Sequence, residues 1–175
     1  MQTDLFSKPA EYAIDSCSLM DIFNEDAWSS KTVIPGLWEN VRKLVESGVI
    51  VSHAEVLDEI NTDGEKGEEL YNWAHANKHV FHTHNLPSEG DVIRAMSTSY
   101  KSFVNRRVGQ TYADPWLIAQ AKVCKLKIIT EETFTNSPSP EKFNIPNICR
   151  DPAFDVKCLN LLELTKERGW KFGSS

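Results

Sequence analysis

The chain has 175 residues, of which 41% are hydrophobic and 25% charged, a composition that excludes extended disorder and suits one domain with a buried core. No apolar run approaches the roughly 20 residues needed to cross a bilayer, so no membrane association is expected. The formal net charge of −6 argues against a general nucleic-acid coat, whose affinity comes from Lys and Arg contacts to phosphate, but not against an enzyme that handles RNA locally.

In chain order, Tyr12, Ala13 and Ile14 read as a short buried strand ending in Asp15. A helix follows through Leu19, Met20, Ile22 and Phe23. Pro35 suits the first turn of the next helix, with Leu37, Trp38, Val41, Leu44 and Val45 at helical spacing and Gly48 as its stop. Residues 49–51 form a second apolar strand, and a helix from about His53 to Ile60 buries Val56, Leu57 and Ile60. Residues 61–67 read as a polar turn. The stretch 68–107 reads as largely helical, with a short strand or extended piece at 79–82. Asp114 and Pro115 have the pattern of a helix cap followed by a first-turn proline, opening a helix to about Lys125. An apolar strand at 127–130 ends in Glu131 and Glu132; a proline-bearing loop spans 133–147. A last strand at 156–159 and a helix at 161–168, stopped by Gly169, complete the chain. Strands alternating with helices predict a three-layer α/β/α sandwich on a mostly parallel central sheet, with a largely helical insertion around 66–107.

In such a fold the helix opening at Asp114 packs antiparallel to the strand after it, which brings the helix start and the strand end to one edge of the sheet. Ligand sites of open α/β sheets form at that carboxyl edge. Each acid there has a plain alternative. Asp15 and Asp114 are good helix caps. Glu55 and Glu59, four apart, share a helical face that solvent would satisfy, and Glu55 suits the helix dipole. Glu131 and Glu132 point to opposite sides, so one of them faces the site. Capping accounts for each acid singly. It does not account for four elements placing acids at one edge, where carboxylates repel unless a hard cation such as Mg²⁺ or Mn²⁺ binds.

Other patterns are weaker. His75, His79, His82 and His84 offer a rival zinc site, but HExxH is absent. Lys101, Arg106 and Arg107 lead toward the Asp114 helix, while Lys122, Lys125 and Lys127 lie at its far end. Trp28, Tyr112 and Trp116 offer base-stacking surfaces or core packing. Cys17, Cys124, Cys149 and Cys158 form no C-x-x-C pair, and MQTDLFSKPAEYAID has no signal-peptide pattern, so free thiols and a cytoplasmic setting are expected.

The segments IDSCSLMDIF, SHAEVLDEI, ADPWLIAQAK and IITEETF resemble, in order, the four motifs of PIN domains, with Asp15, Glu59, Asp114 and Glu132 as the motif acids. The segments IPNICR and VKCLNLLELTKERGW look like the DUF4411 branch of PIN-like proteins. The resemblance implies an Mg²⁺- or Mn²⁺-dependent ribonuclease, similar to VapC-like toxins of type II toxin–antitoxin pairs. It implies an RNA substrate and an antitoxin partner, and leaves a homodimer open. Asp15, Glu59, Asp114 and Glu132 would bind the metal. Ser16 would orient Asp15 or bond the scissile phosphate, and Glu55 would be a reserve ligand. Cys17 stands where many PIN domains carry Asn, Glu132 where Asp is more usual, and 61–107 is longer than in compact members. The alternative is a PIN-like module that binds RNA or protein with little or no cleavage. A haloacid dehalogenase phosphatase is disfavoured because Cys17, not Asp, stands two after Asp15.

Overall fold

The computed structural model describes residues 9–62, 67–83, 87–105 and 113–172. Five strands, β1 (Tyr12–Ile14), β2 (Ile50–His53), β3 (Phe81–His82), β4 (Lys127–Ile129) and β5 (Cys158–Leu159), form one sheet in the order β3-β2-β1-β4-β5. Every pairing is parallel; Ala13, for example, stands opposite both Val51 and Ile128. The helices are α1 (Ser16–Phe23), α2 (Pro35–Glu46), α3 (Ala54–Thr62), α4 (Glu68–Ala76), α5 (Pro87–Ser99), α6 (Lys101–Val104), α7 (Ala113–Cys124), α8 (Ile145–Cys149) and α9 (Leu161–Glu167). The result is an α/β/α sandwich, and the sheet is wholly parallel.

The core strands are short and largely apolar because both faces of the sheet are covered. All three residues of β1 are buried, as are Ile128 and Ile129 of β4. Helix α7 lies against β1, β2 and β4 and packs beside α3 and α5. It is apolar almost all round, with Leu117, Ile118, Ala119 and Ala121 buried, as a central helix must be. Its one buried amide, Gln120, donates to the Ser52 carbonyl at 3.3 Å, and the Ser52 hydroxyl donates to the Ile14 carbonyl at 2.6 Å. These bonds pin α7, β2 and β1 to one another just below the carboxyl edge.

Local signals read from the sequence act where expected. Pro35 begins α2, and Gly48, at φ 73°, turns the chain into β2. Gly169 ends the last helix at φ 64°. Several boundaries differ: the last strand, for example, covers only Cys158–Leu159 of 156–159. Asp114 lies inside the first turn of α7, one residue past its start at Ala113, and so is not its cap. The Ala113 N–H donates instead to Glu59, a partner 54 positions away that no local pattern reveals. The stretch 133–147 is not all loop: it holds a 3₁₀ turn at Pro140–Lys142 and the start of α8. A five-residue helix does not stand alone in water. Here Asn144 caps it, accepting from Asn147 N at 3.1 Å, and Ile145 and Ile148 bury themselves in the core.

Candidate metal centre

The strand order reverses between β1 and β4. From β1 the chain runs outward through β2 and β3, and β4 and β5 lie on the other side. A crevice at such a switch point is where open α/β sheets bind ligands. Asp15 leaves β1 there, its N–H bonded to the Ile129 carbonyl at 3.1 Å, beside Thr130, Glu131 and Glu132 at the end of β4.

Asp15 is 3% exposed. Its Oδ1 accepts from Ser18 N at 2.8 Å, capping α1, while its buried Oδ2 has no hydrogen-bond partner. One carboxylate thus caps a helix with one oxygen and leaves the other for a ligand. Burial pushes its carboxyl up to about 7; Thr130 and Ser18 pull the other way, and the Glu132 charge adds to the rise. Glu59, buried on α3, uses both oxygens: Oε2 accepts from Ser16 Oγ at 2.6 Å and Oε1 from Ala113 N at 3.0 Å. It therefore ties the starts of α1 and α7 together and sets the position of Asp114, one residue further along. The Ser16 hydroxyl is directed at Glu59 rather than at Asp15.

The acids at the end of β4 diverge. Glu131 Oε1 accepts from Leu161 N at 2.7 Å, at the start of α9. Glu132 Oε2 accepts from Ile145 N at 2.9 Å, at the start of α8, and its own N–H donates to Thr130 Oγ1 at 3.1 Å. Cys17 reports the gathering of charge. Its thiol is pushed well up by burial and then by Asp15, Glu132, Asp114 and Glu59. Those are the four acids singled out in sequence, and all act on one half-buried thiol. Glu55 is outside that set: its carboxyl is raised by burial and by Asp58 and Glu59, its neighbours on α3.

The donor set is made of hard oxygens, and Asp15 Oδ2 is a buried acceptor without a donor, so the residues fit Mg²⁺ or Mn²⁺ in kind. Among the described residues no group of three or more His, Cys, Asp or Glu side chains is closed tightly enough to hold an ion as it stands. The bonds of Glu59 and Glu132 to protein donors hold those carboxylates in place.

Two polar residues of this edge, Thr130 and His53, lie within the segments IITEETF and SHAEVLDEI but are not among the acids singled out in sequence. Thr130 is buried and bonded to the Glu132 N–H. His53, at the end of β2, stacks on Trp116 with ring centroids 5.7 Å apart and accepts from Glu55 N at 3.1 Å. A polar residue closing an apolar strand was the available signal for both. His75 is bonded to Asn61 at 2.7 Å. Trp28 is exposed, and Lys122 donates to the Phe154 carbonyl. His84, Arg106, Arg107 and Tyr112 lie outside the described residues.

Fold and site together define a doubly wound α/β protein with an acidic centre at its switch point. The chain belongs to the family described as a domain of unknown function, DUF4411, whose model matches residues 12–172. No curated protein and no solved structure matches the chain.

Proposed function

We propose that this chain is a PIN-like, metal-dependent endoribonuclease, the toxin of a type II toxin–antitoxin pair. The observation that carries the reading is the convergence of four carboxylates from four elements on the switch-point edge, all felt by the Cys17 thiol, with Asp15 Oδ2 buried and lacking a donor. Asp15, Glu59, Asp114 and Glu132 would hold Mg²⁺ or Mn²⁺. When bound there, such an ion would supply an activated water near neutral pH and offset charge on a phosphodiester.

The chain's own residues prepare that chemistry. The Ser18 N–H fixes the orientation of Asp15. Ser16 and Ala113 fix Glu59, and through Ala113 the first turn of α7 carries Asp114 to the same edge. Ile145 N holds Glu132 from the far side. A cation favours the ionised form of Asp15, which burial alone disfavours.

The test is Asp114→Asn, assayed for RNA cleavage in Mg²⁺ and in Mn²⁺. We expect cleavage to fall at least about a hundredfold with the fold intact, as loss of a group acting on the transition state does. Undiminished cleavage by the folded variant would remove Asp114 from the reaction. A second reading, a PIN-like module that binds RNA or protein without cutting, is favoured by one observation: Glu59 and Glu132 already spend oxygens on protein donors. Tight RNA binding with no cleavage across Mg²⁺ and Mn²⁺ titrations would select it.

A further inference from the structure

Beyond Glu132, on the side away from Asp15, a cleft of about 400 Å³ opens along β5. That volume lies in the range of small-ligand sites, roughly 300–1,000 Å³. Thr130 and Glu132 belong both to its wall and to the acidic centre. Whatever fills the cleft is therefore next to the proposed chemistry.

The walls have two characters. One is apolar, formed by Pro146, Val156 and Leu159 with Cys149 and Cys158.

 The Cys149 thiol is buried beside that of Cys158. The other wall is cationic and aromatic. The Arg150 guanidinium lies over the Phe134 ring, 3.9 Å from its centroid, and Phe134 is still 39% exposed. Lys157 also lines the cleft, its ammonium 3.5 Å from Glu167. Of the cleft's two acids, Glu163 is occupied in capping α9, accepting from Asn160 N at 2.9 Å.

An exposed ring with a guanidinium on it is a surface on which nucleobases stack, and the guanidinium also attracts phosphate. The acidic centre repels a polyanion, so a cation beside it is what a nucleic-acid substrate requires. We propose that this cleft is a subsite for one unpaired nucleotide of single-stranded RNA, its base on Phe134 and its phosphate drawn by Arg150. The proposal rests on the ribonuclease reading for the identity of the polymer. The cleft itself is a binding site that stands or falls without cleavage.

The experiment measures binding of a fluorescein-labelled, mixed-sequence single-stranded RNA of about ten nucleotides, by anisotropy, in EDTA at low salt. Phe134→Ala weakens binding about tenfold, the usual scale for loss of one stacked base. Phe134→Tyr binds as the native chain does, and Arg150→Gln weakens binding and flattens its salt dependence. Melting temperatures of all three stay near the native value, because both side chains lie at the surface. Native binding by Phe134→Ala, or no binding by the native chain, overturns the subsite. DNA of the same sequence bound as tightly as RNA overturns its assignment to RNA. Phe134-dependent binding with no cleavage in Mg²⁺ or Mn²⁺ keeps the subsite and removes the ribonuclease reading. Cleavage by Phe134→Ala with native KM and kcat keeps the ribonuclease and removes the subsite.

Discussion

At the amino edge of the sheet, Glu167 accepts from Lys127 and from the Tyr12 hydroxyl, with Lys157 3.5 Å away, and Arg168 donates to Glu11 at 2.8 Å. At the carboxyl edge, Asp15 and Glu59 are held by hydroxyls and backbone N–H groups, and further acids stand near. The ionisation of the two edges diverges accordingly. The Lys127 and Tyr12 hydrogen bonds hold Glu167 down at about 2, whereas burial lifts Asp15 to about 7. One edge matches charge with charge and is finished by folding. The other keeps like charges together, and a cation would complete it.

The largest effect should come from Asp15→Asn, which sharpens this contrast. Asn keeps the cap on α1 but carries no buried charge. With a chelator present at pH 8, the variant should unfold at higher urea than the native chain. The gain is on the order of 4 kcal/mol at most, from a rise from 3.8 to about 7. Mg²⁺ should raise the native melting temperature more than that of the variant. A variant no more stable than the native chain would show that the charge of Asp15 is already compensated.

Next is Glu59→Ala, which leaves the Ser16 hydroxyl and the Ala113 N–H without their acceptor. We expect a loss of about 2–4 kcal/mol in urea unfolding, the scale for buried donors left unmet. Glu59→Gln, which keeps one acceptor oxygen, should lose less. Equal losses would mean that charge, not the two hydrogen bonds, ties α1 to α7.

The smallest effect is at the amino edge. Glu167 has its folded value below its ordinary 4.5, so its contribution is present above about pH 4.5 and is lost as the pH falls toward 2. Asp15 has its folded value above the ordinary 3.8, so its contribution makes the fold less stable as the pH rises from about 4 to 7. Glu167→Gln should remove about 1 kcal/mol at pH 6 and flatten the acid limb of a stability–pH curve. Asp15→Asn should flatten the limb above pH 4. Exchange of the two phenotypes would break the comparison between the edges.

Much of the fold is legible in the chain. Short apolar strands, Pro35, Gly48 and Gly169 fix the order and ends of elements through local sterics and burial, which depend on neighbours in sequence. Three of the four acids can likewise be placed at the carboxyl edge, because Asp15 and Glu132 follow strands and Asp114 lies in the first turn of a helix; Glu59 lies a turn further along α3. What each acid does is less legible. Asp114 looks like the cap and Asp15 like one of several candidates, yet Asp15 caps α1 and Glu59 takes the Ala113 N–H. Helix α8 hides in a proline-rich stretch because its stability comes from Glu132, Asn144 and the core, not from its five residues.

The sequence by itself determined an alternating α/β chain with acids at the ends of its strands, since strand and helix periods and turn residues are local properties. The tertiary structure decided which acids are buried, which oxygens are bonded and which stands without a donor. It also brought Phe134 and Arg150 to one cleft with Glu132. Burial and pairing depend on what other segments bring to a point in space, and so does every ionisation that follows from them.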